Sequence, residues 1–203
     1  MNCGSAFSFQ STLCSQCRKF LVNCFGSDSE LNIRGKKLIS LMIWNPNQSD
    51  LLSNLILRLK SSEDKTWSYF AQEFLLNNHV EILNSSILIS LASEKGKFHG
   101  QMWGQSLSEL TGIPHRMGLS KIQGQNETHQ QKQKNRSQRQ ALELQLNVDI
   151  SELENKKVIF VDDVVTTGAT LLAAHKALGD PVNFECWSLC YRNPLSIAKS
   201  KTK

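Results

Sequence analysis

Two rhythms alternate along the chain: short unbroken apolar runs, and stretches in which apolar residues recur every three or four positions. Lys36-Lys37-Leu38-Ile39-Ser40-Leu41-Met42-Ile43-Trp44 reads as a strand, and Pro46 with its Asn neighbours stops it. Ser49 or Asp50 offers a short side-chain oxygen to cap a helix. Leu51, Leu52, Leu55, Ile56 and Leu59 then line one helical face, and Lys60 closes it. A second helix is predicted over 64–78, with Trp67, Phe70, Phe74 and Leu75 facing inward. Ile87-Leu88-Ile89-Ser90-Leu91-Ala92 reads as a buried strand. A helix over 100–110 follows, ending near Thr111-Gly112-Ile113-Pro114. Val158-Ile159-Phe160-Val161 is apolar without a break, as expected of a strand covered on both faces of a parallel sheet. A helix over 170–178 is stopped by Gly179-Asp180-Pro181. The last strand spans 184–191, with Cys186 and Cys190 on one face as core residues. Strands alternating with helices predict an α/β fold whose mainly parallel, twisted sheet is flanked by helices.

Three segments stand outside this pattern. Residues 1–30 form a Cys-, Ser- and Phe-containing segment with little periodicity, residues 31–195 form the main domain, and the Lys-rich tail 196–203 is expected to be disordered. Within the main domain, residues 121–140 carry Lys121, Lys132, Lys134, Arg136 and Arg139 against the single acid Glu127, with almost no apolar residue. A loop this long is functional or disordered.

A length of 203 residues suits one domain with a small appendage, and 40% hydrophobic residues supply a real core. No apolar run approaches the ~20 residues that span a bilayer. Residues 1–10 lack a basic, then apolar, signal pattern. The expectation is a cytoplasmic protein without a membrane span. The formal charge of +5 suits a phosphorylated small molecule or nucleic acid and does not choose between them. Of the six cysteines, Cys3, Cys14, Cys17 and Cys24 fall near the start; without a secretion signal, a metal site is a better reading than disulfides.

The chemistry concentrates in Asp162-Asp163-Val164-Val165-Thr166-Thr167-Gly168-Ala169-Thr170. A buried strand brings two carboxylates to its carboxyl end, where open α/β sheets bind ligands. A hydroxyl-rich loop with one glycine follows, and then a helix begins. Free amides at a helix start favour phosphate, threonine hydroxyls add donors, and Gly168 permits close backbone approach. Carboxylates repel phosphate but accept hydrogen bonds from a vicinal diol. The segment therefore suits a ribose 5-phosphate. A receiver-type acidic pocket would need a separate phosphoacceptor aspartate and a late lysine, and would not need Thr-Thr-Gly-Ala-Thr.

The same thirteen residues, 158–170, resemble the phosphoribosyl-diphosphate loop of type I phosphoribosyltransferases. The wider chain resembles the ComF (competence protein F) family, in which a small N-terminal cysteine knuckle precedes a phosphoribosyltransferase domain. The resemblance implies further roles. Leu59-Lys60 is similar to a family helix end whose lysine reaches the diphosphate; a solvated helix-end lysine is the other reading. Gln131 and Arg139 are spaced like a pair in the family's flexible loop, where a basic hood covers the leaving diphosphate; a solubilising loop is the alternative. The family's Pro-x-Pro after the central strand is absent from Ser90 to His99, and Lys95, Lys97 and His99 are the basic residues left to serve the diphosphate. The knuckle implied is four thiolates around zinc. Cys14-Ser15-Gln16-Cys17 supplies one pair, while Cys3 and Cys24 remain to complete the set.

By this resemblance Asp162 and Asp163 hold the ribose diol, residues 166–170 hold the 5-phosphate with Val164 and Val165 beside the substrate, and Mg²⁺ bridges the diphosphate and ribose hydroxyls. The implied reaction moves ribose 5-phosphate to a nitrogen nucleophile. The alternative is a non-catalytic module that binds a nucleotide, phosphoribosyl diphosphate or single-stranded DNA and assists DNA uptake with competence proteins. A homodimer is expected under either reading.

Overall fold

The computed structural model describes residues 19, 21–25, 30–44, 59, 64–92, 98–122 and 142–192. Seven strands make one sheet: β1 (Glu30–Ile33), β2 (Lys36–Trp44), β3 (Ser86–Leu91), β4 (His115–Lys121), β5 (Leu144–Leu146), β6 (Lys157–Val165) and β7 (Phe184–Arg192). Among the described residues three α-helices accompany them: α1 (Asp64–Asn77), α2 (His99–Thr111) and α3 (Ala169–Ala177). The strand order is β1-β2-β7-β6-β3-β4-β5. The five inner strands are parallel, and β1 and β5 close the two edges antiparallel. The expected α/β fold with a mainly parallel sheet is borne out. Among the described residues no helix is long and apolar enough to cross a membrane.

The sheet carries a core on each face. α1 and α2 cover one, where Trp67, Phe70, Phe74, Trp103 and Leu107 meet Leu88, Ile159, Val161 and Trp187. α3 covers the other, where Leu171, Ala174 and Leu178 meet Ile87, Ile89, Val158, Phe160 and Cys186. The unbroken apolar run of β6 follows directly, because alternate residues serve opposite cores. Phe70 and Phe74 are fully shielded from solvent, and burial of each contributes roughly 1.5–3 kcal/mol. The Trp103 indole N–H donates to the Trp187 carbonyl at 3.1 Å, which ties α2 to the middle of the sheet. Leu21 joins the first core, and Phe25 bridges Met42 on β2.

Helix α2 lies close to the sheet because residue 104 has no side chain. A Cβ at Gly104 would stand 2.5 Å from His115 Nε2 and 2.9 Å from Val161 Cγ2. The helix stops at Gly112, whose left-handed backbone (φ 73°) turns its N–H onto the Ser108 carbonyl at 2.8 Å. At the amino ends of β6 and β7, Lys157 and Glu185 form a buried ion pair at 3.0 Å. It is fully served: the Trp187 indole N–H donates to Glu185 at 2.7 Å, and Lys157 also donates to the Glu81 carbonyl at 3.2 Å.

Several details differ from the sequence expectation. β6 runs on through both aspartates to Val165 instead of ending at Val161. Strands β1, β4 and β5 are additions; β4 (HRMGLSK) buries only Gly118 and Leu119, so its alternation is faint. Cys186 and Cys190 are both core residues, as expected, yet they join different cores. The alternation shifts near the carboxyl ends: Val164, Cys190 and Met42, which are in register, all join the α1–α2 core, while Val165 and Tyr191 join the other. The helix expected over 51–60 lies outside the described residues, apart from a helical and buried Leu59.

Two predictions follow from the packing of α2. Gly104→Ala should lower stability by about 1–3 kcal/mol, read as a reduced urea midpoint, because both clashing neighbours sit in a close-packed layer. His115 Nε2 lies 2.9 Å from Ser90 Oγ. Burial first, then the Arg116 charge, lowers its proton affinity below the ordinary histidine value. Below pH ~6.5 the unfolded chain therefore takes up a proton that the folded chain resists, and stability falls as pH drops. The melting temperature should decline between about pH 7.5 and about pH 5.5, and His115→Gln should flatten that decline.

Candidate phosphoribosyl site

The two strands at the centre of the sheet, β3 and β6, are parallel neighbours whose chains leave in opposite directions. From β3 the chain passes through α2 on one face to β4; from β6 it passes through α3 on the other face to β7. Their carboxyl ends therefore part, and a crevice opens between them. Asp162 and Asp163 stand at this point, both half-buried.

Asp162 turns towards α2. Its Oδ1 accepts a hydrogen bond from the Asp163 backbone N–H at 3.0 Å. A Cβ placed on Gly100, in the first turn of α2, would lie 3.9 Å from the same oxygen and 3.8 Å from the Val161 carbonyl oxygen. The positive end of α2 thus faces the carboxylate, a favourable arrangement. Asp162 is also in register with Ser188 and Ser40 across β7 and β2. Ser188 is fully buried, and its hydroxyl oxygen has no hydrogen-bond partner among the described residues. Ser40 donates to the Met42 carbonyl at 3.0 Å.

The acids also border two buried thiols. Burial raises the Cys186 thiol well above its ordinary value, and the Asp162 and Glu185 charges add to the effect. Burial likewise raises Cys190, with Asp163 adding. Both stay protonated at neutral pH, so neither is a nucleophile.

The loop after β6 presents Thr166 and Thr167 to solvent and turns at Gly168, which has φ 75° and ψ 11°. Gly168 is buried, and a Cβ there would run into the Ile33 side chain of β1. Its carbonyl accepts the first helical bond, from Leu172 at 3.0 Å. The amides of the first turn, at Ala169, Thr170 and Leu171, have no acceptor within the helix itself. Two half-buried carboxylates and the amides that open α3 stand side by side on one short segment.

His99 opens α2, with its ring stacked on Trp67 at 6.4 Å between centroids and 18° between planes. Of the other residues expected at the site, Lys60, Lys95, Lys97 and Arg139 lie outside the described residues. So do Cys3, Cys14 and Cys17 of the expected zinc set. Cys24 is half-buried, and its thiol is raised by that burial. Among the described residues no group of three or more His, Cys, Asp or Glu is arranged to hold a metal ion.

Sequence reading passed over two features at this end of the sheet. Gly100 brings α2 to Asp162 and carries no motif of its own. Trp44 and Arg192, in register at the ends of β2 and β7, form a cation–π contact with the guanidinium carbon 4.9 Å from the indole centre. Their separation in sequence hid them.

Residues 104–194 match the family described as phosphoribosyl transferase domain. The match runs from within α2 to the end of β7 and includes both aspartates and the threonine loop. No curated protein matches the chain. Among solved structures, a hypoxanthine phosphoribosyl transferase of Trypanosoma cruzi is similar at 16% identity and a TM-score of 0.36, over 67% of this chain and 66% of that one.

The geometry of residue 168 gives a direct test. Gly168→Ala places a side chain at positive φ and against Ile33, and should cost about 1–3 kcal/mol in thermal or urea unfolding. Ile33→Ala in the same background should recover the steric part and leave the backbone part.

Proposed function

We propose that this protein is a phosphoribosyltransferase that binds phosphoribosyl diphosphate and transfers its ribose 5-phosphate to a nitrogen acceptor. One observation carries the reading: the acid pair and the Thr-Thr-Gly-Ala-Thr turn occupy the crevice where β3 and β6 part. Asp162 and Asp163 accept hydrogen bonds from the two ribose hydroxyls. The amides opening α3, with Thr166, Thr167 and Thr170, take the 5-phosphate. His99 and, in the segment before it, Lys95 and Lys97 serve the diphosphate, with Lys60 and Arg139 as further cations.

The chemistry asked of these groups is mainly electrostatic. Loss of diphosphate leaves positive charge at the anomeric carbon, and the adjacent carboxylates stabilise it. Holding the ring at both ends places that carbon for attack. Magnesium, entering with the donor, supplies charge neutralisation of the leaving group. The acids fit this arrangement because Asp162 is turned towards the opening of α2 and both carboxylates are half-buried.

In its finer form the reading is ComF-like, with the cysteine segment holding zinc and the basic stretch 121–140 serving single-stranded DNA in DNA uptake. The cytoplasmic setting and a homodimer belong to the same finer reading.

The test is calorimetry with phosphoribosyl diphosphate and magnesium. Hydrogen bonds to charged groups contribute ~1.5–3 kcal/mol each. Replacing Asp162 and Asp163 by Asn together should therefore weaken binding roughly a hundredfold or more, while the unliganded melting temperature holds or rises. Unchanged affinity in the folded variant sinks the assignment.

A further inference from the structure

We infer that Lys36 is a nucleophilic lysine, set up by His175 and Asp180 to take an acyl group from an acyl phosphate. The site lies at the amino ends of β2 and β7, apart from the aspartate–threonine crevice, and does not depend on the phosphoribosyl reading.

The turn after α3 builds it. Gly179 has a left-handed backbone, with φ 78°. Its N–H donates to the Lys176 carbonyl at 3.1 Å, and the Asp180 N–H returns to the His175 carbonyl at 3.0 Å. This helix ending folds residue 180 back over residue 175. The Asp180 carboxylate consequently meets His175 Nδ1 at 2.7 Å. The Phe184 ring, edge-on at 4.8 Å, fixes the plane of the imidazole, which is itself buried. Lys36 comes from the other side. It opens β2 just after the tight hairpin turn at Arg34 and Gly35, both at positive φ. Lys37 is in register with Glu185, so Lys36 stands beside Phe184. The Lys36 Nζ lies 2.9 Å from His175 Nε2.

The hydrogen bonds fix where the protons go. With Nδ1–H donated to Asp180, the neutral ring keeps a lone pair at Nε2, and Lys36 donates to it. The same nitrogen lies 3.2 Å from the Pro181 carbonyl oxygen. That oxygen cannot bond to Nε2 while Nε2 is an acceptor. Once a proton passes from Lys36 to Nε2, the imidazolium donates to Asp180 on one side and to Pro181 on the other. Both N–H groups of the charged ring then have acceptors, and Lys36 is left with a lone pair. An amine, a base that takes its proton and a carboxylate that orients the base make an activated nucleophile. A helix-end ion pair alone would need neither Lys36 on Nε2 nor a second acceptor beside it.

The surrounding charge selects the acyl donor. Arg34 and Lys37 flank Lys36 closely in the chain, and Lys176 follows His175, so the amine stands among cations. A donor with an anionic leaving group is drawn there. In the step, the Lys36 Nζ lone pair forms a bond to the acyl carbon. The carbon–oxygen bond to phosphate breaks, and its electron pair leaves with the phosphate. One ammonium proton has gone to His175 Nε2, and a second goes to the departing phosphate as the amide forms.

The experiment treats the full chain with acetyl phosphate at neutral pH and follows acetylation at each lysine by peptide mass spectrometry. Lys176, exposed and next to His175 in the chain, is the internal reference. Lys36, though less exposed, should react about tenfold or more faster than Lys176. The difference should vanish in urea, where both side chains are open to the reagent. His175→Gln and Asp180→Asn should each bring Lys36 down to the rate of Lys176 and leave Lys176 itself unchanged. Asp180 is a surface residue, so Asp180→Asn gives the answer even where His175→Gln unfolds the chain. A Lys36 rate no greater than that of Lys176 overturns the inference. So does a difference that survives either substitution in a folded variant, which would leave the cluster as a brace at the end of α3.

Discussion

Two adjacent parallel strands that send their chains to opposite faces of the sheet impose the constraint on which this molecule depends. Beside β6, β3 leads into α2 on one face; β6 leads into α3 on the other. The two connections then diverge from the gap between their carboxyl ends. Whatever residues stand there face a crevice flanked by the starts of two helices. In this chain those residues are Asp162 and Asp163. On the α2 side, Gly104 and Gly100 let that helix settle onto Val161 and approach Asp162.

Stability and chemistry are divided along the length of the strands. The amino halves of β6 and β7 hold the buried Lys157–Glu185 pair, the Trp187 indole bonded to it, and the Trp103 indole bonded to the Trp187 carbonyl. Breaking such a fully served buried pair costs about 3–5 kcal/mol, so this end is fixed in place. The carboxyl halves carry half-buried acids, a buried serine and the exposed threonines. The shift in alternation after Leu41, Leu189 and Asp163 falls at the boundary. It lets Val164, Cys190 and Met42 pack on the α1–α2 side while Val165 and Tyr191 pack on the other. The rim is thereby re-aimed without loosening the base.

What could be read from the sequence follows the strength of each local signal. The run from Val158 to Val161 is buried on both faces and shows itself as apolar without a break. α1 and α2 announce themselves by Trp67, Phe70 and Phe74, and by the glycine that stops α2. The aspartate–threonine segment is contiguous, so its chemistry is legible from neighbours alone. β4 and β5 were not legible, because each buries few residues and their pattern is too weak to stand out. The cores joined by Cys186 and Cys190 were also not legible. Strict period two would place both residues on one face, and only the neighbouring strands reveal the shift. Trp44 and Arg192 lie 148 positions apart, and strand order alone brings them together.

The polarity of the crevice also limits how a ligand can lie in it. The acids repel an anion and attract hydroxyl donors; the amides opening α3 do the reverse. A ligand carrying phosphate at one end and a diol at the other has a single favourable orientation between them. Reversal would set phosphate against Asp162 and Asp163 and leave the first-turn amides of α3 facing hydroxyls, losing at both ends at once. The carbon between those ends is thereby held with one side towards β3 and the other towards β7. The β3 side offers a second helix start, that of α2, so a second anionic group on the ligand is drawn there.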